Sequence, residues 1–172
     1  GNTDFITQQL LAEKIDIALV EGNAHYPQVS YTPFVKDELV LVTRANSKLA
    51  KLIEITPKQL LEIPLVLREQ GSGTLEVIFK ALAEQKINPK SLIIETHLES
   101  SISIKKYLQY AEAAAFLSIQ IVANELKYNE LSVIDIKGLE IFRTFQFIQL
   151  HGNSSSLTDL FKRFCIAHYN LK

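Results

Sequence analysis

Two rhythms of apolar positions alternate along this chain of 172 residues. From Thr3 to Lys14, Ile6, Leu10, Leu11 and Ile15 recur at helical spacing, with Asn2 or Thr3 as the cap. Ile15 to Val20 is β-rich and stops at Gly22, and Val29 to Phe34 and Glu38 to Thr43 predict two further strands. A short helix near Pro57 to Leu61 leads into a strand over Leu65 to Leu67 and a helix from about Leu75 to Lys86. Strand and helix then alternate: Leu92 to Leu98, Ile102 to Tyr110, Ala113 to Leu117, Ile119 to Lys127, and Leu131 to Ile136. After Gly138, Phe142 to Leu150 reads as one more strand. The closing helix carries Leu157, Leu160, Phe161, Phe164, Cys165 and His168 on one stripe, and Ser156-x-x-Asp159 resembles a capping box at its start.

Such alternation predicts an α/β fold, a parallel or mixed sheet covered by helices. Loops are short, so if the chain forms two lobes it must cross between them on extended segments. Pro33 to Thr43 and Arg143 to Leu150 are the candidates.

Composition narrows the function classes. With 18 basic against 19 acidic residues the net charge is -1 and neither sign forms a long block, which argues against direct nucleic-acid binding. The one cysteine, Cys165, allows no intrachain disulfide and fits a reducing compartment, so a cytoplasmic protein is expected. No apolar run approaches the ~20 residues of a membrane span, and the N-terminus lacks a signal-peptide pattern. With no methionine anywhere and Gly1 as the first residue, the chain is expected to have been cut from a longer protein.

The stretch Leu67-Arg68-Glu69-Gln70-Gly71-Ser72-Gly73-Thr74 joins a strand to a helix. A glycine loop opening a helix presents free backbone N–H groups where the helix dipole also favours an anion, and Ser72 and Thr74 add hydroxyls. The named nucleotide loops do not fit. A P-loop needs a Lys-Ser/Thr pair after its last glycine, where Thr74 and Leu75 stand, and Glu76 would repel a pyrophosphate. The same residues serve equally as ordinary helix caps, with Glu76 in its favoured first turn. Ser100-Ser101, Ser118 and Asn2-Thr3 repeat the geometry before other helices. In open α/β sheets such turns gather where ligands bind, and a cleft lined this way would hold a small polar anion through neutral donors.

Catalytic and metal constellations are poor. Gly71-Ser72-Gly73 is not the Gly-x-Ser-x-Gly of a nucleophile elbow, and His25, His97, His151 and His168 lie far apart. Cys165 and His168 share the apolar stripe of the last helix, a packing arrangement rather than half of a metal site. Glu69 and Glu99 each end a strand before a ligand-type turn and make a conceivable carboxylate pair, although salt bridges to Arg68 or Lys105 explain them as well. The residues call for no catalytic group, no metal and no cofactor.

In this order, "GNTDFITQQLLAEKIDIALVEG", "PFVKDELVLVTRANSKLA", "LREQGSGT", "LESSISIKKYL" and "FLS" resemble the effector-binding domain of LysR-type transcriptional regulators. The resemblance implies a two-lobed, periplasmic-binding-protein-like (type 2) fold with two crossing strands and a small-molecule effector between the lobes. The first lobe would comprise residues 1–40 and 145–172, and the second 41–144. The effector, an anion or carboxylate, would meet Asn2, Thr3, Glu21, Gly22, Ser72, Gly73, Thr74, Ser100, Ser101 and Ser118. Partners would be a second copy of the chain, in a homodimer or higher oligomer, and DNA only through a winged helix-turn-helix domain that this chain lacks. The family's domain starts with a strand, helix and strand ahead of the Gly-Asn-Thr motif, so the first lobe is expected to be incomplete, with sheet edge or apolar surface uncovered. Ala111-Glu112-Ala113-Ala114-Ala115 replaces the family's glycine-rich segment, so the turn there is expected to differ. The competing readings are a lobe of a transport solute-binding protein and, less favoured, an enzyme on the same fold.

Overall fold

A computed structural model describes residues 1–22, 25–152 and 155–169. In chain order the regular elements are α1 (Thr3–Leu11), β1 (Ala18–Val20), β2 (Val29–Arg44), β3 (Glu54–Ile55), β4 (Pro64–Arg68) and α2 (Gly73–Glu84). They continue as β5 (Ile93–Leu98), α3 (Ser101–Leu108), β6 (Ala114–Ser118), α4 (Ile119–Lys127), β7 (Leu131–Val133), β8 (Asp135–Ile136), β9 (Ile141–Leu150) and α5 (Ser156–Tyr169).

Strand alternation builds the larger core. In β2, β4 and β6, Leu39, Leu41, Leu65, Leu67, Ala114 and Phe116 face one side of the sheet. Their neighbours Val42, Val66, Ala115 and Leu117 face the other. The first face is covered by Leu75, Ile78 and Leu82 of α2, and the second by Ile104 and Leu108 of α3 with Val122 of α4. Both faces are thus apolar, as a sheet sandwiched by helices requires. A smaller core of Leu10, Val20, Val29 and Ile148 seats α1 on the β1, β9 and β2 end.

The main sheet runs β1-β9-β2-β6-β4-β5, with β7 also paired to β2. β2 is one 16-residue strand where the sequence predicts two. Its first part pairs antiparallel with β9 from Val29↔Leu150 to Leu39↔Ile141, and its last part pairs with β6 from Leu39↔Ser118 to Thr43↔Ala114. The segments named as crossings, Pro33 to Thr43 and Arg143 to Leu150, lie on these two long strands. The register of β2 and β9 shifts between Pro33 and Val35, so Phe34 is the extra residue of a bulge. Proline has no N–H to give the ladder, which suits it to such a break. The shift sets Asp37 opposite Arg143, whereas the unshifted register would set it opposite Phe142.

Other departures from the sequence reading have local causes. The predicted helix ends at Lys14 and Lys86 overshoot because Glu13 and Lys86 adopt positive φ, 55° and 60°, and stop the helices there. Leu131 to Ile136 divides in two: Leu131–Val133 pairs with β2, while Asp135–Ile136 pairs in parallel with β3, a strand too short to read from sequence. At α5 the reciprocal cap is one residue earlier than predicted, with Ser155 Oγ accepting from Thr158 N at 3.2 Å and Thr158 Oγ1 accepting from Ser155 N at 3.1 Å. Among the described residues, β1 has a single neighbour in the sheet. Phe5, Leu157, Leu160, Phe161 and Phe164 are exposed.

Candidate functional site

Helix caps and ligand donors compete for the same hydroxyls, and here the structure separates them. Asn2 caps α1, its Oδ1 accepting from Phe5 N at 3.0 Å, and Ser100 caps α3, its Oγ accepting from Ser103 N at 3.0 Å. Ser72 and Ser118 hold the N-cap positions of α2 and α4 but make no side-chain cap. Ser118 Oγ instead donates to Asp37 Oδ1 at 2.8 Å. Ser72 is 1% exposed, and its hydroxyl has no hydrogen-bond partner among the described residues. An unmet buried hydroxyl costs free energy, so its persistence calls for an explanation.

Around these turns lies a buried ionic network. Arg143 on β9 directs Nε and Nη2 to Asp37 Oδ2, both at 2.7 Å, its cross-strand partner. Its Nη1 donates to Thr74 Oγ1 at 2.8 Å and to a carboxylate oxygen of Glu21. Thr74 Oγ1 in turn donates to Glu21 Oε1 at 2.5 Å. The guanidinium stacks on Phe145, its carbon 4.6 Å from the ring centre. One cation thus ties β9, β2, the end of β1 and the first turn of α2, with two carboxylates to its single positive charge.

Close backbone approach brings these elements together. A Cβ on Gly73 would lie 2.2 Å from the carbonyl oxygen of Glu21, so only glycine fits there. Gly22 has φ of 113°, which turns the chain immediately after Glu21. Thr3 Oγ1 donates to Glu21 O at 2.9 Å, Asn2 Nδ2 to Gln70 O at 3.2 Å, and Asp4 N to Gly71 O at 3.2 Å. These bonds dock the start of α1 on the turn between β4 and α2 and on Glu21, just after β1.

Two hollows flank the network and share Leu19 and Phe145 as lining. One, about 170 Å³, is bounded by Asn2, Thr3, Glu21, Arg68, Ser72 and Gly73 among others. The other, about 280 Å³, is bounded by Phe34, Asp37, Ser118, Arg143 and Tyr169. A larger hollow of about 600 Å³ lies elsewhere, against Glu38, Glu54, Glu84, Asp135 and Glu140, with Lys137 as its one cation. It repels anions and contains no unmet buried donor, so the smaller hollows make the better candidate.

Glu69 belongs to a structural ion pair. Burial pushes its carboxyl up, but two hydrogen bonds from Arg68, at 2.9 and 3.2 Å, and its own backbone N–H more than offset this and hold the pKa below the usual glutamate value. Lys105 pairs with Glu125 at 2.5 Å rather than with Glu99. The carboxylate pair of Glu69 and Glu99 therefore gains no support as acid and base. No cluster of three metal-ligating side chains occurs among the described residues.

Of the residues named from sequence, Asn2, Thr3, Glu21, Ser72 and Gly73 line the first hollow and Ser118 the second, and Thr74 is buried in the network between them. Gly22 lines a separate hollow of about 520 Å³ with Arg143. Ser100 and Ser101 follow β5 at the same sheet end, since Leu98 pairs with Arg68, but line neither small hollow. Asp37, Arg68, Arg143 and Phe145 were missed. Charges inside otherwise apolar strands, in "VKDELV" and "IFRTFQF", are the signal that could have raised Asp37 and Arg143.

The model describing the LysR substrate binding domain matches residues 1–170. The chain belongs to the LysR substrate binding domain family. The LysR domain is similar to the HTH-type transcriptional regulator YeiE of Escherichia coli K12, at 29% identity over 164 residues, covering 95% of this chain and 54% of YeiE. It spans about half the length of the curated relatives it matches. Among solved structures, the regulatory domain of Synechocystis PCC6803 CcmR in complex with 2-PG superposes with a TM-score of 0.83 at 23% identity, covering 96% of this chain and 79% of that one. The effector-binding domain of QuiR in complex with shikimate gives 0.83 at 22%, covering 98% and 78%. These likenesses establish the periplasmic-binding-protein-like fold of the LysR domain. Among its described residues, no helix is long and apolar enough to cross a membrane.

Proposed function

We propose that this LysR domain senses a small metabolite bearing an acid group, held between a lobe of residues 1–40 and 145–172 and a lobe of residues 41–144. Residues 23–24, 153–154 and 170–172 of the first lobe lie outside the described residues. The binding surface comprises Asn2, Thr3, Glu21, Gly22, Ser72, Gly73, Thr74 and Ser118, with Ser100 and Ser101 at its margin. The observation that carries the reading is the Ser72 hydroxyl, buried and unpartnered on a residue that lines a hollow at the start of α2. A helix start with free N–H groups favours an oxyanion there. The metabolites bound by CcmR and QuiR, 2-phosphoglycolate and shikimate, both carry acid groups, which agrees with this chemistry.

Family membership supports a regulator over a transport protein. In the regulator the effector acts by binding one arrangement of the lobes or subunits better than another, and DNA is contacted through a segment outside this chain. A homodimer or higher oligomer in the cytoplasm is the assembly and place we propose for this role. The test is thermal unfolding with 2-phosphoglycolate, shikimate or inorganic phosphate at fixed ionic strength. At least one should raise the Tm, and replacing Ser72 by alanine together with Thr74 by valine should remove the rise. A rise that persists in the double variant would refute the site.

A further inference from the structure

The network around Arg143 contains more negative charge than it needs. Asp37 faces Arg143 directly across the β2 and β9 ladder, takes two of its nitrogens on one oxygen and accepts Ser118 on the other. That pair is complete within the strands. Glu21 is the additional carboxylate, reaching in from the turn after β1 to accept from Arg143 Nη1 and Thr74 Oγ1. A guanidinium and a hydroxyl converging on two carboxylate oxygens at the start of a 12-residue helix is the arrangement an oxyanion ligand would require. Two residues before Thr74, Ser72 has a buried, unpartnered hydroxyl, and Ser72 and Glu21 both line one hollow, whereas Arg143 lines the other.

We infer that Arg143, Thr74 and Ser72 form a subsite for the acid group of the effector, and that the Glu21 carboxylate occupies this subsite while it is empty. The inference rests on the sensing role proposed above and adds the residue that neutralises the ligand and the residue that competes with it. An incoming oxyanion cannot join Asp37 and Glu21 around one cation without adding a third negative charge, so it displaces Glu21. Departure of Glu21 from Arg143 and Thr74 breaks the side-chain link from the end of β1 to β9 and α2 while the β1 and β9 ladder remains, which couples occupancy to the joint between those elements.

The test is isothermal titration of the whole chain with inorganic phosphate and, separately, acetate at constant ionic strength. Glu21→Gln should bind at least one of them ten times more tightly than the unaltered chain, and the stronger anion identifies the acid group preferred. Glu21→Asp retains the charge but withdraws the carboxylate by one methylene, and should give a smaller gain. It also serves if Glu21→Gln fails to fold. Glu76→Gln removes a neighbouring charge that touches neither Arg143 nor Thr74, and should give none. No gain in either Glu21 variant, including no binding at all, overturns the inference, as does an equal gain in Glu76→Gln. If 2-phosphoglycolate still raises the Tm in a way that depends on Ser72 and Thr74 while the Glu21 variants gain nothing, the competition by Glu21 is refuted and the site stands.

Discussion

Replacing Arg143 with methionine tests how the buried network is held. Methionine keeps an unbranched apolar stem against Phe145 and removes only the charge and its donors. Arg143 and Asp37 side chains are each 6% exposed and Glu21 12%, so two carboxylates are left in a poorly hydrated space with no cation between them. Removing one partner of a buried ion pair costs about 3–5 kcal/mol. Asp37 keeps the Ser118 hydroxyl at 2.8 Å and Glu21 keeps Thr74 at 2.5 Å, which places the expected loss near the lower end, about 3 kcal/mol. At about 2–4 °C per kcal/mol for a domain of this size, the Tm should fall by roughly 6–12 °C. Urea unfolding followed by circular dichroism would measure the loss directly, with an unchanged m value showing that the unfolded state is unaffected. Adding Glu21→Gln to Arg143→Met removes one of the two facing charges and should restore about 1 kcal/mol or more, a coupling that distant sites do not show. The reasoning is refuted if Arg143→Met lies within about 0.5 kcal/mol of the unaltered chain, or if the second change destabilises it further.

Leu65→Ala, at a fully buried position of β4, should cost about 2–5 kcal/mol in the same unfolding assay, and a cost under 1 would deny that the sheet centre carries the core. Gly73→Ala places its methyl against the Glu21 carbonyl and should cost about 1–3 kcal/mol and abolish ligand-induced stabilisation, both read by thermal unfolding. Lys105, which donates to Glu125 at 2.5 Å, holds that carboxyl below the usual glutamate value near 4.5 against the opposing effect of burial, and Glu69 is likewise held down through Arg68. Carboxyls depressed in the folded state contribute stability above their unfolded pKa and lose it as pH falls through their folded one, so an acid titration of the Tm should decline from about pH 4.5 downward. Lys105→Met should make that decline shallower, and an unchanged slope would count against the pair.

Local pattern carried most of the fold. Leu65, Val66 and Leu67 alternate between two helix-covered faces, and Ile119 to Lys127 forms a helix over the bounds the apolar spacing predicts. The glycine elbow and the turns at Ser100 and Ser118 were also legible as the carboxyl ends of strands, because hydroxyl-bearing residues ahead of an apolar period mark helix starts. Sequence could not tell which hydroxyls cap their helix and which do not. Ser100, Ser72 and Ser118 hold the same local position, yet only Ser100 caps its helix.

The chain by itself determined the order and kind of its elements, since backbone periodicity and capping act over a few residues and need no knowledge of distant partners. Tertiary structure alone decided the buried network at the candidate site. Asp37 and Arg143 are 106 residues apart and meet because one extra residue at Phe34 shifts the strand register, while Glu21 reaches Arg143 from 122 positions away. A one-residue change in register exchanges the faces of every side chain that follows, so no local rule could have placed those three charges together.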